Sequence, residues 1–489
     1  MTIRLLRLCS AVMPLALVAC ASPVRTTVLD HIDEFSGYRY VALNEKAPKT
    51  TEKTAVMLSF SGGGTRAAAL ADGVLRALAE TRVKGRDGLV PLASEIDVVS
   101  SVSGGSVTAA YFALGGIDGL GDLEQNFLRS DIMGTLISGA LLNPLELFSP
   151  RIDILENYLD ENVFDHKTYK DLIDREAPGK NRKPYVVLNA ADMASGSVFS
   201  FTQDQFDLIC ADLASLKLAD AVSASAAFPV ALSALTIRNR APCEAQRQAP
   251  AAPRSGWQMH DGRPEPTRIV NDRSVDTSIG VNYPKAENLA RFRRGTVALT
   301  YLNSDGKKDF IQLLDGGIAD NLGLTMPFTF LTSPSESPSF RNRINRHEVD
   351  KLLFIVVNAR GQADNDFGSR ARPPGVTDTL MTTIGTPIDA MSFQLLGQLD
   401  TLIDDPLKAK AVVLIDFDLI ADRGCRAYFH DMATSWTLPQ PQVDDLIALG
   451  KAMVLQSPGY GKVVAALGGT VPPPQPSVEQ ICARIPKTS

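Results

Sequence analysis

Short apolar runs, rich in β-branched residues, recur along the chain from residue 54 onward. They are "TAVMLSF" (54–60), "IDVVSSV" (96–102), "YVVLNAA" (185–191), "FIQLLDG" (310–316), "KLLFIVVNA" (351–359) and "KAVVLIDFD" (410–418). Runs of this length and composition predict strands buried on both faces, as in a parallel sheet. Between them, residues 65–83 and 104–115 carry apolar positions at helical spacing. The alternation predicts an α/β fold in three layers, with a mostly parallel central sheet and helices on both faces.

The rhythm breaks at residues 238–305, where Pro, Arg, Ala and Asp dominate and periodicity is weak. A connection this long is functional or disordered, so a lid over a site and a solvated surface loop are both open readings. The stretch "IMGTLISGALLNPLELF" (132–148) fits a pair of core helices; in a lipid-handling protein it would also suit an acyl channel. Near the end, "QPQVDDLIALGKAMVLQ" reads as an amphipathic helix, followed by a Pro-rich piece that Cys482 could pin.

Composition narrows the class. The 489 residues are 45% hydrophobic and 21% charged, with a net charge of −6. Basic residues are scattered, which argues against a nucleic-acid partner. After residue 25, no apolar run reaches the roughly 18 residues that a spanning helix needs. The first residues differ: Arg4 and Arg7 precede an apolar stretch from Leu8 to Val18 and then small residues, the form of a secretory signal. Its end, "LVAC", resembles the lipobox of bacterial lipoproteins, in which Cys20 would become the lipidated first residue. Ala21 and Ser22 then imply, by the same resemblance, an outer-membrane, periplasm-facing address. Each buried acyl CH₂ contributes about 0.8 kcal/mol, so several chains would hold the protein essentially permanently.

An oxidising compartment changes the reading of the cysteines. With Cys9 removed and Cys20 acylated, Cys210, Cys243, Cys425 and Cys482 remain. Four cysteines allow three pairings, and proximity in sequence alone favours Cys210–Cys243 and Cys425–Cys482. None has the C-x-x-C spacing of a zinc site, so no metal or other cofactor is expected.

Three stretches offer chemistry at predicted strand ends. "SGGGTR" places Gly62, Gly63 and Gly64 between a strand and a helix, where bare backbone N–H groups can meet an anion. "SVSGGS" places Ser103 on a strand-to-helix turn close to the G-x-S-x-G elbow, with Ser101 at the first position; the following helix adds its positive end. "LLDGGIADN" ends an apolar run in Asp315, and two glycines let the chain turn away. The glycines match neither a P-loop nor a dinucleotide fingerprint, so a resident phosphate is a poor fit.

Together with "ASAAFP" (224–229), these blocks resemble the patatin-like phospholipases, over roughly residues 53–330. The resemblance implies a serine–aspartate dyad. Ser103 would attack an ester carbonyl, Asp315 would take its proton, and Gly62, Gly63, Gly64 and Gly104 would form the oxyanion hole. Arg66 would support the oxyanion or a headgroup, or would serve structurally by pairing with a carboxylate. Ser61 and Ser101 depart from the family's commoner Asp and Gly. The implied activity is a phospholipase A or lysophospholipase acting on acyl esters of membrane lipids. Two other readings stay open: a non-catalytic lipoprotein that binds lipid or a partner, and a Ser-Asp-His esterase using His430, whose order along the chain allows it. The expected organisation is a signal peptide (1–19), a tether (20–52), a patatin-like catalytic domain (53–420, with 238–305 inserted) and a C-terminal helical extension (421–489) packed on it. The oligomeric state is not readable.

Overall fold

A computed structural model describes residues 23–485 except 34, 47–48, 135–150, 175–183, 230–231, 249–257, 261–262, 266–274, 277–282, 285–296, 299, 304–305, 333–339, 362–370, 372–374, 376–389, 391 and 398–406. The N-terminal segment read as a signal, with Cys20, the stretch 135–148 and most of residues 238–305 therefore lie outside the described residues.

All six apolar runs form strands of one eight-stranded sheet. The site is framed by β1 (Thr54–Phe60), α1 (Gly64–Glu80), β2 (Val98–Val102), α2 (Gly104–Gly115), β3 (Tyr185–Asp192), β4 (Ser197–Ser200), α3 (Leu218–Ser225), β5 (Leu235–Arg238), β6 (Phe310–Asp315), β7 (Lys351–Asn358) and β8 (Ala409–Asp416). The strand order is β8-β7-β1-β2-β3-β6-β5, with β4 paired along the end of β3. Every residue of β1, β2 and β3 is buried, which is why these segments read as unbroken apolar runs.

The sheet is mixed and largely parallel. β8, β7, β1, β2 and β3 are parallel neighbours, whereas β6 runs antiparallel to both β3 and β5, and β4 antiparallel to β3. In β6 the even-numbered Phe310 and Gln312 are exposed and Ile311 and Leu313 buried, the alternation of a one-faced antiparallel strand. Helices flank the sheet. α2 is buried on nearly all sides rather than amphipathic. The first helix stops at Glu80, and Arg82–Gly85 turns into a hairpin with Gly88–Pro91.

Residues 23–46 are not a free tether. Val24 N–H donates to the Thr236 carbonyl at 2.8 Å, and Thr27–Val28 pairs with Ala211–Asp212. Tyr38 is fully buried; its hydroxyl donates to the Val186 carbonyl at 3.1 Å and accepts from Val186 N–H at 3.0 Å. Arg39 bonds Asp204 and Asp207. The polar look of this segment reflects side chains that pair with the domain. At the other end, α4 (Arg423–His430), α5 (Gln440–Gln456) and α6 (Val478–Cys482) pack onto the domain, with α5 lying along α1. Disulfides join Cys210 to Cys243 and Cys425 to Cys482, with Cα separations of 6.1 and 5.2 Å.

Candidate active site

Register explains how residues far apart in sequence meet. Val102 pairs with Asn189 on β3, and Asp315 pairs with Ala190, the next residue. Ser103 and Asp315 therefore leave the sheet at one level, with β3 between them. The gap is closed by Gly316, which crosses the end of β3. A Cβ there would lie 2.2 Å from the Asn189 carbonyl oxygen and 3.1 Å from Val102 Cγ1, so only glycine permits the crossing.

Ser103 sits between β2 and α2 with φ of 52° and ψ of −124°, a conformation that costs a non-glycine residue about 1–3 kcal/mol. The surroundings hold it there. Its N–H donates to Ser225 Oγ at 2.8 Å, and Ser225 Oγ donates to the Asn189 carbonyl at 2.6 Å. Ser106 Oγ lies 2.9 Å from Ser225 Oγ and donates to Ser101 Oγ at 3.2 Å. Ser101 is thus accommodated with its Cβ, its hydroxyl absorbed into this network. The same α3 end fixes the aspartate: Asp315 N–H donates to the Ala227 carbonyl at 2.9 Å and Gly316 N–H to the Ser225 carbonyl at 3.0 Å.

Asp315 is buried, and its carboxylate accepts a hydrogen bond from Gly317 N–H at 2.7 Å, with the Ser103 side chain close enough to favour its ionised form. Burial pushes its pKa up to about 6, against the pull of Gly317 N–H and the nearby Ser103 side chain. A carboxylate so poised is ionised at neutral pH yet basic enough to take a proton.

The Gly-rich turn faces this pair. The position a Cβ would take on Gly62 is 3.3 Å from Ser103 Cβ, and that on Gly104 is 2.0 Å from the Gly64 carbonyl oxygen, so the two turns are in backbone contact. Gly62 corrects the sequence reading. Its N–H donates to the Asn321 carbonyl at 3.1 Å and is unavailable to an oxyanion. The N–H groups of Gly63, Gly64 and Gly104 bond no acceptor among the described residues.

Arg66 is also placed differently. Its buried guanidinium donates from Nε to the Ala359 carbonyl at 2.8 Å, from Nη1 to the Met432 carbonyl and from Nη2 to Thr434 Oγ1 at 3.0 Å. These are neutral acceptors, not a carboxylate. Burial lowers its pKa to about 10. The side chain ties the turn to neighbouring segments instead of reaching for a headgroup.

His430 bonds Asp418 through Nε2 at 3.0 Å and meets Phe417 edge-on. Among the described residues, neither Ser103 nor Asp315 bonds a histidine, so the triad reading loses its geometric basis. No cluster of metal-ligating side chains occurs among the described residues.

The sequence reading gave no role to Ser225 or Asn189, nor to Thr434 and Ser435. Ser225 stood within the quoted "ASAAFP" block, and a serine at the end of an apolar helix was the available signal. Thr434 gave none, since it lies 368 positions from Arg66.

A strand-to-helix serine near a buried carboxylate and a glycine turn is an arrangement that could support nucleophilic acyl transfer. The family model described as patatin-like phospholipase matches residues 58–284, and over these residues the chain is similar to that family. The match contains the Gly-rich turn, Ser103 and the 224–229 segment; Asp315 lies beyond it. Among solved structures, human GIVD cytosolic phospholipase A2 is similar at 12% identity and a TM-score of 0.33, covering 62% of this chain and 45% of that one. The chain thus spans less than half the length of that protein. The comparison with curated proteins gave no match.

Proposed function

We propose that the protein is a serine acyl hydrolase that cleaves acyl esters of membrane lipids, of the phospholipase A or lysophospholipase type. The observation that carries this reading is the juxtaposition of Ser103, on its strand-to-helix turn, with the buried Asp315 carboxylate at one level of the sheet. In the proposed reaction Ser103 Oγ attacks the ester carbonyl as its proton passes to Asp315. The tetrahedral oxyanion is met by N–H groups of Gly63, Gly64 and Gly104, the last at the positive end of α2. Collapse expels the alcohol, which takes the proton from Asp315, and leaves an acyl-Ser103. Water, deprotonated by Asp315, then releases the fatty acid.

The proposed setting is the outer membrane, with Cys20 lipidated. Val24 is already bonded to the edge strand β5. Four residue steps span at most about 14 Å, so an anchored domain would ride close to the bilayer that holds its substrate. A fluorophosphonate probe tests the nucleophile: the reading expects covalent label on Ser103 and none on the Ser103→Ala variant. Absence of label on the folded wild type would favour the lipid-binding alternative.

A further inference from the structure

The Gly-rich turn is held by a part of the chain that the family match does not reach. The Ser435 carbonyl accepts Thr65 N–H at 2.9 Å. A first-turn helix N–H has no partner inside its own helix, so this bond satisfies a group that the fold must otherwise leave open. The same carbonyl oxygen lies 2.4 Å from where a Cβ on Gly64 would stand, so turn and segment are in backbone contact. One residue on, Arg66 donates to the Met432 carbonyl and to Thr434 Oγ1. Among the described residues its hydrogen-bond acceptors are neutral, and burial without a charged partner lowers its pKa to about 10.

The segment is itself fixed on both sides. Ahead of it, α4 carries Cys425, bonded to Cys482 at the end of α6. Behind it, α5 crosses α1 so closely that a Cβ on Gly450 would lie 2.3 Å from the Leu70 carbonyl oxygen. Gln456, the last residue of α5, holds α6 in place: its Oε1 accepts Val478 N–H at 3.0 Å and its Nε2 donates to Glu479 at 3.2 Å. The disulfide therefore closes a loop that contains the whole clasp.

We propose that residues 432–435 are a positioning clasp for the Gly63–Gly64 donors, with Thr434 and Ser435 as positioning residues. Cys425–Cys482 keeps the clasp seated, so severing it lowers turnover without touching Ser103 or Asp315. The activity readout rests on the hydrolase reading above. Donors aimed at an oxyanion act on the transition state, so the loss falls on kcat and not on KM.

The test uses the mature full chain as wild type, Ser103→Ala, Thr434→Val, Thr434→Ser and the double variant Cys425→Ser/Cys482→Ser. Each is assayed on a soluble p-nitrophenyl acyl ester, and amide exchange at Thr65 is followed by hydrogen–deuterium exchange. The double variant is expected to lose about tenfold in kcat and Thr434→Val about threefold, with KM within twofold of wild type and Thr434→Ser restored. The Thr65 amide should exchange about tenfold faster in the first two. Folded variants with wild-type kcat and wild-type Thr65 exchange would overturn the clasp. If the wild type shows no Ser103-dependent hydrolysis, the hydrolase reading fails, and Thr65 exchange alone decides for or against the clasp.

Discussion

Asp315 carries opposite consequences for stability and for activity. Its folded pKa of about 6 lies above the ordinary carboxylate value, so the folded state prefers it protonated. The preference stabilises the fold fully below about pH 4 and is lost as pH rises through 6, a cost of about 3 kcal/mol at neutral pH. Asp315→Asn removes the buried charge, keeps the shape and can still accept the Gly317 N–H. It is expected to raise the melting temperature while lowering turnover by about 10²–10⁴-fold. The pH profile has the converse sign: the base must be ionised, so kcat/KM should fall as pH drops through about 6. A flat profile from pH 5 to 8 in a stably folded enzyme would contradict that role. Ser225 is the second residue to test. Ser225→Ala leaves the Ser103 N–H and the Asn189 carbonyl without their shared hydroxyl, and should destabilise the protein by about 1–3 kcal/mol in denaturant titration. The position of Ser103 and Asp315 at strand ends was legible in the sequence because each follows an apolar run and precedes glycine. Ser225 was not, because its role depends on a strand register that no local pattern encodes. Gly62 misled for a related reason: its neighbours share its composition, and only the path of Asn321 decides which N–H is spent.

At the scale of elements, the strands were readable because burial on both faces forbids polar interruptions. The direction of β6 was not, since "FIQLLDG" is equally apolar whichever way it runs. That direction matters. Entering antiparallel to β3, the strand delivers Asp315 level with Ala190, beside the end of β2. The contact between the two turns is equally sensitive. A side chain at Gly104 would meet the Gly64 carbonyl at 2.0 Å. Gly104→Ala should therefore force β2–α2 and β1–α1 apart and abolish fluorophosphonate labelling of Ser103, even where circular dichroism shows the helices retained. Labelling at the wild-type rate would show that the contact is not needed. Within the described residues of 20–52, buried Tyr38 and paired Arg39 look like solvated residues until their partners, Val186, Asp204 and Asp207, are known.

For the molecule as a whole, the site combines three stretches of chain. The matched family region supplies the turn, the serine and α3; β6 supplies the carboxylate; the C-terminal extension grips the turn from outside. The hydrolase reading requires all three to act on a lipid. The most direct measurement incubates the mature chain with vesicles of mixed bacterial phospholipids and follows fatty acid and lysophospholipid by mass spectrometry, with Ser103→Ala alongside. The account predicts that wild type releases fatty acid, that the variant does not, and that the lysolipid isomer reports the position cleaved. Equal release from both proteins, or none from a folded wild type whose Ser103 reacts with no fluorophosphonate, would contradict it.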